Sequence, residues 1–197
     1  MRALILASTS RYRRDLLARL HLPFEVHSPE VDETARPGET PLQLAWRLSR
    51  DKAQAVAKRF PQAVVIGSDQ VADLNGAALG KPGTHERATQ QLKQMSGQQV
   101  VFQTAGTVAC EATGFEQTDL ASVVVRFRHL PAQDIDFYLR TEQPYDCAGS
   151  AKCETLGIAL LESIDSDDPT ALVGLPLIRT NRLLRQAGID CFAGARS

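Results

Sequence analysis

Two short acidic segments of this sequence have the composition of a site that binds a divalent cation or activates a water molecule. Asp32 and Glu33 stand together in a polar loop, and Asp69 and Gln70 follow the apolar run 63–67. Carboxylate oxygens suit Mg²⁺ and Mn²⁺, and a carboxylate can also take a proton from an attacking water. Taken alone, the first pair is more typical of a turn, and the second is equally typical of a strand-end cap.

A cluster of hydroxyl and guanidinium groups lies between the first predicted strand and the first predicted helix. Backbone N–H groups at a helix start attract anions, and arginine donates in a planar fork that suits phosphate oxygens. The spacing does not form a Walker motif, so an anion site and a solvated, arginine-rich helix face are equally compatible with it. The cluster consists of Ser8, Thr9, Ser10, Arg11, Tyr12, Arg13 and Arg14.

Two lysines could complete a site for a polyphosphate. Lys52 lies inside a predicted helix, and Lys81 lies in the turn Gly80-Lys81-Pro82-Gly83. Either lysine alone is typical of a protein surface. Together with the acids and arginines, they can neutralise the negative charge that develops on a leaving phosphate group. The combined set therefore predicts a nucleotide site at which water is the nucleophile.

The composition argues against several other kinds of function. The 197 residues carry 22 basic and 23 acidic side chains, with a net charge of −1, and 43% of them are hydrophobic. Because there is no basic surplus and only 6% of residues are aromatic, binding to nucleic acid is not expected. No apolar run approaches the ~18 residues of a membrane span, and the cysteines and histidines lack zinc-site spacing. We expect a cytoplasmic protein whose partner is a small nucleotide, with a homodimer as an open alternative to a monomer.

The elements that must position these residues alternate between strands and helices. Apolar runs and alternating patterns predict strands at 3–7, 24–27, 63–67, 100–110, 120–128 and 157–162. Capping residues and periodic apolar faces predict helices at 10–20, 40–60, 84–95, 131–140 and 176–187. A turn at Thr113-Gly114 would join two of the strands as a hairpin. The prediction is one α/β domain over residues 1–197, with a mixed, partly antiparallel sheet flanked by helices.

The segment Leu6-Ala7-Ser8-Thr9-Ser10-Arg11-Tyr12-Arg13 resembles the opening S-x-S-P-R-R signature of the Maf family of nucleotide pyrophosphatases. The resemblance implies an inosine-triphosphatase-like fold with two lobes around a cleft. It also implies hydrolysis of nucleoside triphosphates to the monophosphate and pyrophosphate, with a divalent cation such as Mg²⁺ or Mn²⁺. The later segments that match the family in order are Val31-Asp32-Glu33, Lys52-Ala53, Gly67-Ser68-Asp69, Gly80-Lys81-Pro82, Ala148-Gly149 and Val173-Gly174-Leu175-Pro176.

The resemblance implies roles for individual residues by their position. Asp69 resembles the family's proton acceptor, and Glu33 resembles an essential acid near the metal. These two acids are therefore the candidate metal ligands, and Lys52 and Lys81 join them in the candidate catalytic set. The candidate phosphate-binding residues are Ser8, Ser10 and Arg13.

At three further positions the residue type varies with the substrate within the family, and in this sequence these positions are Tyr12, Gln70 and Glu154. This triple resembles the subgroup that acts on 7-methyl-GTP, whereas the thymidine and uridine triphosphate subgroup has arginine, threonine and glutamine. Methylation at N7 gives guanine a positive charge, which a tyrosine ring attracts by ~0.5–2 kcal/mol. The carboxylate of Glu154 can accept hydrogen bonds from the guanine N1–H and amino group, and Gln70 can provide an adaptable third contact.

Simpler interpretations of these positions stay open at the level of sequence. Tyr12 could pack on the first helix, and Glu154 could form a surface ion pair with Lys152. The alternative functions are a pyrophosphatase of broader specificity and a nucleotide-binding regulator of cell division with little turnover.

Overall fold

The computed structural model describes residues 2–193, which form one mixed sheet with helices packed against it. The strands are β1 (Leu4–Ala7), β2 (Glu25–His27), β3 (Val64–Leu74), β4 (Ala77–Leu79), β5 (Gln99–Cys110), β6 (Phe115–Phe127) and β7 (Leu161–Asp165). The α-helices are α1 (Arg11–Ala18), α2 (Pro41–Arg59), α3 (His85–Met95), α4 (Ala132–Glu142) and α5 (Leu177–Gln186).

The sheet combines a parallel half with an antiparallel half. Its strand order is β2-β1-β3-β5-β6-β7, and β4 pairs with the far end of β3. β1 is parallel to both β2 and β3, whereas the pairs β3–β5, β5–β6 and β6–β7 are antiparallel. The predicted hairpin between β5 and β6 is confirmed, and it turns through Gly114 at a φ of 65°. The mixed α/β sheet expected from the sequence is therefore confirmed.

Helix α2 begins where the sequence predicts and packs unusually close to β3. Thr40 accepts a hydrogen bond from the Gln43 backbone, and the Gln43 side chain accepts one from the Thr40 backbone, which is a capping box. A Cβ on Gly67 would collide with the backbone of Ser49 and Ala53 on α2. Glycine at this position therefore allows the helix to lie directly on the strand, at the level of Lys52.

Three predicted strand boundaries were wrong, and one of them is the start of β6, which begins at Phe115 and not at residue 120. β3 does not end at Gly67 but continues to Leu74, because β5 pairs with it as far as Asp73. Asp69 and Gln70 therefore lie within the strand and not after its end. The predicted strand 157–162 is mostly a 3₁₀ turn (Leu156–Leu160), in which Gly157 lies close against the backbone of Lys152, and β7 begins only at Leu161.

The hydrophobic core is divided into two large clusters, with two smaller clusters around α2. One large cluster joins α3 and α4 to the β5–β6 part of the sheet. The other joins β1, α1 and α5. The cleft described below is lined by residues that pack against both clusters. Among residues 2–193, no helix combines the length and the apolar character needed to cross a membrane.

Candidate active site

A single cleft of about 1240 Å³ brings together all ten residues that the sequence indicated as functional. Its wall is formed by the start of α1, the loop before α2, the middle of β3 and the segments around 80, 150 and 173. The ten residues along it are Ser8, Ser10, Tyr12, Arg13, Glu33, Lys52, Asp69, Gln70, Lys81 and Glu154.

One lysine bridges the two candidate catalytic acids inside this cleft. The Nζ atom of Lys52 lies 2.6 Å from Oδ1 of Asp69 and 2.7 Å from Oε1 of Glu33. Lys52 and Asp69 are almost fully buried, at 4% and 6% exposure, whereas about half of the Glu33 side chain is exposed. The two acids come from a strand and a loop that are 36 residues apart, and α2 supplies the cation between them.

Successive side chains of β3 point to opposite faces of the sheet, and the two faces make different contacts. Gly67 and Asp69 face α2, where Asp69 meets Lys52. Ser68 and Gln70 face the opposite side, where their side chains bond to backbone carbonyls of the segment 171–174. Strand β3 therefore places Asp69 in the cleft on one face of the sheet and holds the segment 171–174 on the other face.

Neighbouring cationic side chains favour the ionised form of the Glu33 carboxyl group. Partial burial alone would raise the pKa of its carboxyl group. The hydrogen bond and charge of Lys52, followed by the charges of Lys81 and Arg13, outweigh that effect and lower the pKa below its ordinary value. Glu33 is therefore an anion at neutral pH.

The phosphate-side residues are linked to each other and to the segment around Gly174. Arg13 donates from Nε to the carbonyl of Gly174 at 2.8 Å and from Nη1 to the hydroxyl of Ser8 at 3.5 Å. Ser8 is buried, and its hydroxyl accepts from the backbone of Ser10. Ser10 is the N-cap of α1, because its hydroxyl accepts from the Arg13 backbone. This arrangement fixes the guanidinium of Arg13 beside the helix start.

Gln70 is more constrained than the sequence suggested. Its amide nitrogen lies 2.8 Å from the carbonyl of Ala171, 3.0 Å from that of Leu172 and 3.1 Å from the hydroxyl of Thr104. Within residues 2–193, its amide oxygen has no hydrogen-bond partner. Only the acceptor half of this side chain is therefore available to a ligand, while the donor half holds the loop.

Tyr12 already has a cation against its ring. The guanidinium carbon of Arg11 lies 4.8 Å from the centre of the Tyr12 ring, and Arg11 also donates to the Tyr12 hydroxyl at 2.9 Å. Partial burial is the main cause that raises the pKa of Tyr12, to about 12, so the phenol is neutral at physiological pH. The ring of Tyr12 therefore lies against the guanidinium of its own neighbour Arg11 in this structure.

Glu154 is exposed at the cleft, and Lys152, which the simpler interpretation paired with it, forms a hydrogen bond elsewhere. The Nζ atom of Lys152 is buried and donates to the carbonyl of Glu142 at 2.8 Å. The surface pair between Glu154 and Lys152 was therefore a wrong alternative. The carboxylate of Glu154 accepts a contact from the thiol of Cys153, at 3.7 Å.

The neighbouring thiols are unsuited to nucleophilic catalysis. Burial is the main cause that raises the pKa of both Cys147 and Cys153 to about 12. Both are therefore thiols and not thiolates at neutral pH. Water remains the nucleophile that best suits this cleft.

Several residues that shape the cleft were not singled out from the sequence. Ser68 is fully buried, and its hydroxyl lies 2.8 Å from the carbonyl of Ala105 and 2.9 Å from that of Gly174. Arg47 holds the loop that carries Glu33, through a contact with Thr34. The partners of Ser68 lie in distant segments, and the Thr34 partner of Arg47 is a backbone carbonyl, which a side-chain pattern does not indicate.

The comparison with known families identifies the class of protein. The profile of the Maf-like protein family matches residues 3–187, and the chain therefore belongs to this family. The prediction of a single domain extending over 1–197 stays a prediction.

Individual relatives share most of their length with this chain. A protein of Polaromonas sp. strain JS666 is 69% identical over 192 residues, which cover 98% of this chain and 88% of the relative. A protein of Albidiferax ferrireducens is 66% identical, with 95% and 94% covered, and one of Xanthomonas campestris pv. campestris strain 8004 is 61% identical, with 96% and 98% covered. All three are named 7-methyl-GTP pyrophosphatase. A more distant likeness, with a TM-score of 0.47 and 16% identity, is to the Staphylococcus aureus Ham1 protein, covering 64% of this chain and 72% of the other.

Proposed function

We propose that this protein is a hydrolase that converts 7-methyl-GTP to 7-methyl-GMP and pyrophosphate. The observation that carries the proposal is the convergence of Asp69, Glu33 and Lys52 in the same cleft as Tyr12 and Glu154. The first three residues are suited to cleaving a phosphoanhydride, and the other two are suited to a cationic purine. The names of the relatives at 61–69% identity support the same substrate.

The cleft can provide both proton transfer and charge neutralisation. Asp69 accepts a proton from the water that attacks the α-phosphate, a contribution of about 10²–10⁴ in rate for a well-placed base. Lys52, Lys81 and Arg13 neutralise the charge that develops on the departing pyrophosphate. Because Lys52 touches both acids, it also holds them in place before the substrate arrives.

We propose that a divalent cation, Mg²⁺ or Mn²⁺, takes part with the substrate. Among residues 2–193, no group of three or more His, Cys, Asp or Glu side chains could hold a metal. Two carboxylates plus substrate phosphates are nevertheless a usual binding set for Mg²⁺, and Glu33 and Asp69 each have one oxygen not bonded to Lys52. These two residues therefore fit the ion, which would neutralise phosphate charge and acidify a bound water.

The base would be recognised by Tyr12 and Glu154, which line the same cleft. The ring of Tyr12 attracts the positively charged methylated guanine, as an aromatic face attracts a flat cation. Glu154 accepts from two guanine donors, and a pyrimidine would leave its carboxylate without them. Gln70 also lines the cleft, and its amide oxygen is free to accept a hydrogen bond from the substrate.

A panel of nucleotides tests the substrate assignment. The purified protein is given 7-methyl-GTP, GTP, ATP, UTP or dTTP with Mg²⁺ or Mn²⁺, and released pyrophosphate is measured. We expect the highest kcat/KM for 7-methyl-GTP, no release from the folded variant Asp69→Asn, and no release without a divalent cation. A higher kcat/KM for UTP or dTTP would contradict the substrate, and nucleotide binding without pyrophosphate release would favour a regulator.

Two further proposals concern where the protein acts and whether it forms a dimer. We propose a cytoplasmic location, because free nucleoside triphosphates are the substrates of this site. Whether the chain forms a homodimer is an open prediction that sedimentation analysis of the purified protein would decide.

A further inference from the structure

The loop that carries Glu33 has few attachments to the rest of the protein. Residues 29–39 contain no helix or strand. Within the described chain, the side-chain hydrogen bonds and ion pairs that tie this loop to other segments come from Lys52 and Arg47, both on α2. Lys52 contacts Glu33 itself, so Arg47 is the attachment that acts through the surrounding loop.

Arg47 makes a dense set of contacts for a residue outside the cleft. Its Nε and Nη2 atoms lie 2.6 Å and 2.9 Å from the two carboxylate oxygens of Glu39, which is a bidentate pair. Nη2 also donates to the carbonyl of Thr34 at 3.0 Å, and Nη1 donates to Asp51 at 3.2 Å. The side chains of Arg47 and Glu39 are only 14% and 8% exposed. A bidentate pair of this kind fixes direction as well as distance.

These contacts bear directly on the position of Glu33. The carbonyl of Thr34 belongs to the residue that follows Glu33, and the Glu33 side chain itself is half exposed. Glu39 also accepts from the Arg36 backbone, so one arginine secures two points of the same loop. Without this support, one contact with Lys52 would have to hold both the side chain and its loop.

We infer that Arg47 is a positioning residue for Glu33, and that its guanidinium holds the loop 29–39 so that Glu33 reaches Lys52 and the substrate's cation. This inference rests on the proposed function, because Glu33 has a task only in that reaction. Lysine cannot replace the arginine, since an ammonium group lacks the planar fork that bonds Glu39 and Thr34 together.

A double-mutant cycle tests the inference against a merely structural role. Arg47→Lys is measured with 7-methyl-GTP in the wild-type and Glu33→Gln backgrounds. Arg50→Lys is the matched control, because Arg50 is on the same helix but pairs with Glu116 on β6. We expect Arg47→Lys to lower kcat at least tenfold with Glu33 present and at most twofold in Glu33→Gln, whereas Arg50→Lys stays within twofold. Equal losses in the two backgrounds would overturn the inference.

Hydrogen exchange gives a second readout that does not depend on turnover. We expect peptides that cover 29–39 to exchange faster in Arg47→Lys and in Glu39→Gln than in the wild type, and unchanged in Arg50→Lys. Unchanged exchange in both loop variants would overturn the inference, even if Glu33→Gln has no measurable activity. If the wild-type protein released no pyrophosphate while the loop exchange responded as expected, the proposed function would fail separately from the role of Arg47 in holding the loop.

Discussion

The ammonium of Lys52 lies 2.6 Å from the carboxylate of Asp69, and both side chains are almost excluded from solvent. Glu33 contacts the same ammonium from the more exposed side at 2.7 Å. The lysine is therefore the centre of the site, because its removal would leave two acids facing each other. Removal of Asp69, by contrast, leaves an intact pair between Lys52 and Glu33.

This asymmetry predicts different effects on stability for the two partners. Lys52→Met should lower the free energy of unfolding by about 3 kcal/mol, as expected when a buried charge loses its partner. Asp69→Asn should cost less, and the double variant should be more stable than Lys52→Met alone, because Asn removes the unpaired acid. Urea unfolding at neutral pH measures all three. A double variant less stable than Lys52→Met would show that the pair is not coupled in this way.

Recognition of the base gives a second prediction. The combined change Tyr12→Arg and Glu154→Gln should lower kcat/KM for 7-methyl-GTP by about tenfold or more relative to UTP, since stacking and two charge-assisted hydrogen bonds are lost. The control is Glu162→Gln, an exposed acid on β7 outside the cleft. Equal losses for the two nucleotides would mean that Tyr12 and Glu154 do not contact the base.

Gln70 should behave differently from those two residues. Its amide nitrogen holds the carbonyls of Ala171 and Leu172, so Gln70→Ala should loosen that loop and affect every nucleotide. We expect kcat/KM for 7-methyl-GTP and UTP to fall by the same factor, within about twofold. A loss confined to 7-methyl-GTP would instead identify Gln70 as a direct base contact.

The Glu39–Arg47 pair gives a prediction about acid stability. The hydrogen bond from Arg47 is the largest cause that lowers the pKa of Glu39, from 4.5 to about 2. A lowered pKa contributes stability that is fully present above the unfolded value of 4.5 and is lost as the pH falls towards 2. Glu39→Gln should therefore destabilise the protein near pH 6, and its difference from the wild type should shrink between pH 4.5 and 2. Urea midpoints across this range measure the effect, and a difference that stays constant with pH would contradict it.

Much of the fold follows from local signals in the sequence. Thr40, Pro41 and Gln43 define the start of α2, and Gly114 permits the left-handed turn of the hairpin. The extent of β3 was not predictable, because Ser68 and Gln70 are polar residues whose partners lie about 35 and 100 residues further along the chain. Polar residues inside a strand look like a strand end until those partners are known.

The site was predictable as a set of residues but not as a geometry. Sequence motifs indicated Glu33, Lys52 and Asp69 individually, and the structure shows that one lysine joins the two acids. Arg47 could not be distinguished from a surface arginine, since its partner Thr34 contributes a backbone carbonyl. Such contacts carry no signal in side-chain patterns.

Hydrolysis of 7-methyl-GTP in ¹⁸O-labelled water tests the central claim most directly. If Asp69 activates a water that attacks the α-phosphate, one ¹⁸O atom should appear in 7-methyl-GMP and the pyrophosphate should be unlabelled. Mass spectrometry of the products distinguishes these positions. Label in the pyrophosphate, or release of inorganic phosphate with 7-methyl-GDP, would contradict the proposed reaction.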